Sequence, residues 1–341
     1  MSSASRPSPG EIESLRISVV IPCYNAAAYL EQAVRSVQNQ TREVMEIIVV
    51  DDGSRDDSRA IAKRLGARVV ELPGNSGPAA ARNRGIEASN GDVIAFLDAD
   101  DYWAPTHCAD VVSLLEHHPE CAVAFSRIHR FGTGEESVSP VFLAADTPTP
   151  SLWHLLRDNI VPQSAVAVRR SVFLEHGGYD EARRHSEDYE LWLRLARHAP
   201  FVSTNAVSVH YRMHEQQVSR NLELMLSTRW DVKLRFWRDA SRREPPGFVQ
   251  RLEDVLLNVW NDTLRSAWLT RDQELFRTAL ALHDMVPHSA ATWRRWKRRY
   301  RTAWYAWVTL SRAWERMPRA AKRLARPAIA SLFAPHQRRV S

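Results

Sequence analysis

Val93-Ile94-Ala95-Phe96-Leu97-Asp98-Ala99-Asp100-Asp101 is an unbroken apolar run of strand length that ends in a cluster of carboxylates. Five consecutive apolar residues running into a polar turn suit a strand covered on both faces. The same grammar recurs upstream, where Glu46–Val50 runs directly into Asp51, Asp52, Gly53 and Ser54. Earlier still, the β-branched run Ile17–Ile21 precedes Pro22, Cys23, Tyr24 and Asn25. Helical spacings separate these runs: Tyr29, Leu30, Ala33, Val34 and Val37 recur at helical spacing, with Asn25 placed to cap that helix. A helix near 56–65, a strand at Ala67–Leu72 and a helix near 78–89 complete the alternation. Such an order predicts an α/β, Rossmann-like fold, with a mostly parallel central sheet and helices on both faces. Ligands of parallel sheets bind outside the carboxyl ends of the strands. Both acidic turns fall at that edge.

Each segment carries a chemical reading and a plainer one. Asp98, Asp100 and Asp101 offer the hard oxygens that hold Mg2+ or Mn2+ against nucleotide phosphates; a solvated acidic turn would contain the same residues. Asp51 or Asp52 could accept a hydrogen bond from a base or a ribose, although Asp-Gly is also an ordinary turn signal. In Asn75–Gly85, small residues at a helix start let the backbone approach an anion. Arg82 could reach a phosphate or pair with an aspartate, while a close helix–sheet contact explains the alanines equally well. Glu187 and Asp188 open the helical stretch after Ser186, a candidate N-cap, where the dipole favours negative charge. One of these carboxylates could deprotonate an acceptor hydroxyl. His214 reads as a third metal ligand, a phosphate contact or a structural imidazole.

The net charge of +6 conceals an asymmetry. Residues 1–220 hold 22 Lys+Arg against 29 Asp+Glu, whereas residues 221–341 hold 24 against 11 and nine of the twelve Trp. Two regions with different roles are expected, after a flexible tail at 1–15. The second region, 221–341, reads as helical, with breaks at Pro245–Gly247 and Pro287. Within 289–326, Trp293, Trp296, Tyr300, Trp304, Trp307 and Trp314 form a stripe on a basic helix. That pattern fits packing on the catalytic domain or on another chain, and the density of Arg tips it toward an anionic membrane surface. No apolar run reaches the ~18 residues of a membrane span, and three scattered cysteines suggest neither a disulfide framework nor a zinc site. A cytoplasmic protein, able to lie on the cytoplasmic face of a membrane, is expected.

Taken in order, Ser18–Asn25, Val50–Ser54, Gly77–Asn83, Leu97–Asp101 and Glu187-Asp188 resemble glycosyltransferase family 2, the inverting enzymes of GT-A fold. The likeness covers about 16–215 and leaves the C-terminal region outside. It implies a nucleotide-sugar donor, probed by Pro22, Tyr24 and Asn25, with Asp52 or Asp51 on a uracil-like base. It further implies a DxD pair at Asp98 and Asp100, with Asp100 as the direct ligand of a divalent metal. Asp188 is similar to the family's catalytic base, acting on a hydroxyl of a glycan or lipid-linked acceptor. A sugar-phosphate nucleotidyltransferase would carry a Gly-rich loop where Pro22-Cys23-Tyr24-Asn25 stands, and a nicotinamide dehydrogenase would carry GxGxxG. Nucleic acid is not an expected partner, given the acidic first 220 residues. A non-catalytic relative that binds the nucleotide sugar alone is disfavoured by the intact Asp100 and Asp188.

Overall fold

In the computed structural model, which describes residues 14–134, 136–139, 149–214, 221–270, 275, 278 and 279, the run Ile17–Cys23 forms the buried central strand β1. The chain then alternates: α1 (Leu30–Gln38), β2 (Glu46–Asp51), α2 (Ser58–Arg64), β3 (Arg68–Glu71), α3 (Pro78–Ala88) and β4 (Val93–Phe96). β3, β2, β1 and β4 lie side by side in that order, all parallel, with Val19 opposite Ile47 and Val20 opposite Phe96. Alternation of side chains along β1 serves two helical layers. Ile17, Val19 and Ile21 join Leu30 and Val34 of α1 in one core cluster. Val20 faces the other way, onto α3, where Gly85 approaches so closely that an added Cβ would lie 2.2 Å from a Val20 methyl.

The second half departs from the parallel pattern. β5 (Tyr102–Trp103), α4 (His107–His117), β6 (Val123–Gly132), β7 (Ser137–Val138) and α5 (Leu152–Arg157) follow, then β8 (Val166–Arg169), α6 (Arg170–His176), α7 (Glu187–Leu195) and β9 (Phe201–Met213). β8 enters antiparallel between β4 and β6, while β6 and β9 pair in parallel. The finished order is β3-β2-β1-β4-β8-β6-β9-β5, with β7 beside β6, so the sheet is mixed. Apolar periodicity reports burial and says nothing of direction. The apolar run Ala165–Val168 therefore marks a buried strand in the sequence without marking its orientation.

Two expected caps take other roles. Asn25 lies in the left-handed region at φ 50°, five residues ahead of α1. Its side-chain oxygen accepts the Arg55 N–H at 2.8 Å and its own N–H donates to Ser54 Oγ at 2.9 Å. Asn tolerates this conformation, and the gain is a tie between the β1 and β2 loops. Ser186 does precede α7, also left-handed at φ 56°, but makes no side-chain cap.

The chain divides into two compact units, Met1–Arg220 and Asn221–Ser341. In the second, α8 (Leu222–Arg243) starts at Asn221, whose side chain accepts the Leu224 N–H at 2.9 Å. α9 (Pro246–Thr270) follows after a break at Glu244-Pro245, with Pro246 at its first position and Gly247 inside the helix. Trp230 and Trp260 are buried. The Trp-rich stretch 289–326, Pro287 and residues 1–13 lie outside the described residues. No described helix is long and apolar enough to cross a membrane.

Candidate active site

The carboxyl ends of β1, β2 and β4, the start of α3 and the end of β9 surround a cleft of about 420 Å3. Pro22, Tyr24, Asn25, Asp52, Arg82 and Asp98 line it, as do Asp100 and His214. Tyr24 is 44% exposed, so its ring is open to stacking. Asp52 accepts the N–H groups of Ser76 (2.7 Å) and Gly77 (2.8 Å), pinning the loop that leads into α3 against the end of β2. Gly53 makes that closeness possible: a Cβ there would meet Gly74 Cα at 2.8 Å, at a φ of +77°. Asp51 behaves differently from its neighbour. It is fully buried, paired with Arg59 at 2.8 Å, and absent from the cleft lining.

Arg82 is the electrostatic hub. Its side chain is 5% exposed and divides its two terminal nitrogens between Asp98 (2.7 Å) and Glu187 (2.8 Å). Burial alone would depress its pKa; the carboxylates of Asp98 and Glu187 override that and hold it above its ordinary range. On Glu187 burial dominates and raises the pKa, with Arg82 opposing it. The ion pair thus joins α3, the acidic turn after β4 and the first turn of α7, across 105 residues of sequence.

The three aspartates of the turn differ sharply. Asp98 and Asp100 each keep 27% of their side-chain surface open. His214 Nε2 sits 2.9 Å from Asp100 Oδ2, and its ring stacks on Tyr29 at 5.6 Å. Asp101 is sealed, 1% exposed, bonded by Ser164 Oγ–H (2.5 Å) and by the Arg212 N–H (2.8 Å). Burial, then the charges of Asp100 and Asp98, push its pKa well above the usual carboxylate value.

Asp188 follows Glu187 on α7. It is half-buried, and its Oδ2 accepts an amide hydrogen from Asn159 at 2.9 Å. Neither Asp188 nor Glu187 lines the cleft directly; Arg82 connects Glu187 to it. Sequence reading passed over Asn159, Ser164 and the side chain of Arg212. Only Arg212 carried a signal, since it stands two residues before His214 and therefore on the same face of an extended segment.

The donor set fits a hard divalent cation. Two carboxylates and an imidazole line the cleft, and Asp100 and His214 face each other at hydrogen-bond distance. Asp98, held by Arg82, does not come within 4.8 Å of both, and the one trio among the described residues with ligand atoms that close to one another is His118, Glu120 and Cys121. It precedes β6, which runs parallel to β4, so it lies at the opposite edge of the sheet, and its thiol is held at about 11 by burial.

The sequence profile of glycosyl transferase family 2 matches residues 18–177. In Escherichia coli, the UDP-Glc:alpha-D-GlcNAc-diphosphoundecaprenol beta-1,3-glucosyltransferase WfaP is 30% identical over 210 residues, which is 60% of this chain and 80% of that protein. The chain belongs to glycosyl transferase family 2. Three uncharacterised glycosyltransferases, from Rickettsia conorii, Rickettsia felis and Haemophilus influenzae, match it at 28% identity, and the chain spans 37%, 35% and 63% of their lengths. Among solved structures, S. aureus TarS 1-349 in complex with UDP-GlcNAc superposes with a TM-score of 0.63 at 18% identity, covering 80% of this chain and 82% of that fragment. The mannosyltransferase PcManGT of Pyrobaculum calidifontis, in complex with GDP-Man and Mn2+, gives a TM-score of 0.55 at 17% identity over 96% of this chain and 87% of its own. At such identities the likeness is one of fold, and the fold is that of a family 2 glycosyltransferase of GT-A type.

Proposed function

We propose that this chain is an inverting glycosyltransferase that moves a sugar from a UDP- or dTDP-linked donor to a hydroxyl of a glycan or lipid-linked acceptor. One observation carries the reading: the cleft at the strand ends gathers an open tyrosine, an arginine hub and the Asp98, Asp100 and His214 ligand set. TarS holds UDP-GlcNAc and PcManGT holds GDP-Man and Mn2+ on this same fold. WfaP acts on a diphosphoundecaprenol-linked sugar, which supports a lipid-linked acceptor.

In this reading Pro22, Tyr24 and Asn25 border the nucleotide, with Asp52 beside the base. Asp98, Asp100 and His214 would hold Mn2+ or Mg2+, which when bound neutralises charge developing on the departing diphosphate. Asp188 takes the proton from the acceptor hydroxyl; that oxygen forms its bond to the anomeric carbon as the bond to the diphosphate breaks on the opposite face. A single displacement inverts the configuration and needs no covalent enzyme intermediate. Asn159 orients the Asp188 carboxylate, and the Arg82–Glu187 pair holds the start of α7 against the acidic turn. Residues 16–220 form the catalytic domain, and the helical region from 221 would place it, through 289–326, on an anionic cytoplasmic membrane surface.

The test is a nucleotide-sugar panel scored by Mn2+-dependent thermal shift on the full chain. At least one uridine- or thymidine-linked sugar should stabilise the wild type, and Asp100→Ala should abolish the Mn2+-dependent part. Identical behaviour of the two proteins, with no donor stabilising either, would sink the reading.

A further inference from the structure

The acidic turn is held in place mainly by residues that never touch the cleft. Arg212 Nε donates to the carbonyl oxygen of Asp100 at 2.9 Å, and its Nη2 donates to Gln32 Oε1 at 2.6 Å. The guanidinium is sandwiched between the rings of Tyr29 (4.9 Å) and Phe131 (4.7 Å). The Arg212 N–H donates to Asp101 Oδ1 at 2.8 Å. The other Asp101 oxygen receives Ser164 Oγ–H at 2.5 Å, and Ser164 Oγ in turn accepts the Asp98 N–H at 3.2 Å. Asp101 and Ser164 are each 1% exposed.

We propose that Arg212 and Ser164 are positioning residues that set the Asp98–Asp100 ligand geometry; the proposal rests on the metal-and-donor reading above. Each of Asp98, Asp100 and Asp101 has a tether of its own: the backbone N–H, the backbone carbonyl and the side chain. Two carboxylates on an untethered surface turn would wander by more than the ~0.5 Å that a preorganised site allows. Arginine suits the strap because its planar fork sends donors in fixed directions while its faces stack on aromatic rings. A lysine ammonium has neither property. Buried Asp101 is therefore the keystone of the turn and not a third ligand, and the strap comes from β9, more than 100 residues downstream.

The experiment measures Mn2+ affinity from the free-ion EPR signal of the full chain in the presence of UDP, alongside UDP binding without metal. Arg212→Met keeps the aliphatic stem and the backbone N–H but removes the fork. It should weaken Mn2+ binding about 10-fold or more, the usual cost of losing a group that orients metal ligands. Arg212→Lys should do nearly the same, and Ser164→Ala should act in the same direction by freeing the Asp98 N–H. Metal-free UDP binding should stay within about twofold. Wild-type Mn2+ affinity in Arg212→Met and Ser164→Ala overturns the proposal. So does a parallel loss of metal and metal-free UDP binding, which marks a merely structural role. If Arg212→Met does not fold, Arg212→Lys and Ser164→Ala decide by the same criteria. A wild type that binds no Mn2+ with UDP present overturns the metal reading itself, and this proposal with it.

Discussion

Arg82→Met tests the electrostatic hub most directly. Methionine keeps most of the side-chain volume and deletes a charge whose carrier is 5% exposed, leaving Glu187, 11% exposed, without its partner. Removing one member of a buried ion pair costs about 3–5 kcal/mol, because the remaining charge stays desolvated. For a unit of this size that lowers the melting temperature by about 6–20 °C. The loss should depend on pH, with a definite sign. Glu187 already has a folded pKa above its ordinary value through burial, and Arg82 works against that rise. Without Arg82 the folded pKa climbs further. A carboxyl with a raised folded pKa contributes stability that is complete below its unfolded pKa and lost as pH rises through the folded one. The gap between wild type and variant should thus be smallest at low pH and widen by about 1.4 kcal/mol per pH unit between the folded pKa of the wild type and the higher one of the variant. Urea denaturation at pH 5 and pH 8 measures this, on Arg82→Met, Glu187→Gln and the double variant. With only the more exposed Asp98 left without its Arg82 partner, the double variant should recover most of the stability at pH 8. An equal loss at both pH values, or no recovery in the double variant, would refute the assignment of the pair.

Asp188→Asn should leave Mn2+-dependent donor binding within about twofold while transfer falls by about 10²–10⁴, the range for loss of a general base; turnover close to wild type in a radiolabelled transfer assay removes Asp188 from that role. Gly85→Ala should destabilise by about 1–3 kcal/mol in urea denaturation, although alanine is the better helix former by ~1 kcal/mol, because its methyl meets Val20 at 2.2 Å. Adding Val20→Ala should relieve part of that cost, and strict additivity of the two would show that no clash exists.

Local rules read much of the molecule from the chain. Helix spacing placed α1, α2 and α3 to within a few residues, and the apolar runs ending in aspartate located β2 and β4. The cleft's edge was legible because a strand's carboxyl end is a local property, which marked Asp52, Asp98 and Asp100, whereas Pro22, Tyr24 and Asn25 were named through the resemblance to family 2. Pairs of neighbours in one motif were harder to separate. Asp51 and Asp52 look alike in sequence, yet one is locked to Arg59 and the other faces the cleft. Asp100 and Asp101 look alike too, and only one remains open to a ligand. A one-residue step turns a side chain to the other face of an extended segment, so which aspartate is sealed depends on what packs there.

The sequence by itself determined the order of motifs, the α/β alternation and the edge of the sheet where chemistry could occur, since periodicity and strand ends are written within a few residues of one another. Tertiary structure alone decided the antiparallel entry of β8, the sealing of Asp101, the Arg82–Glu187 bridge and the descent of Arg212 and His214 onto Asp100. Those features depend on desolvation and Coulombic attraction between groups roughly a hundred residues apart, and both are set by distance in space rather than by position along the chain.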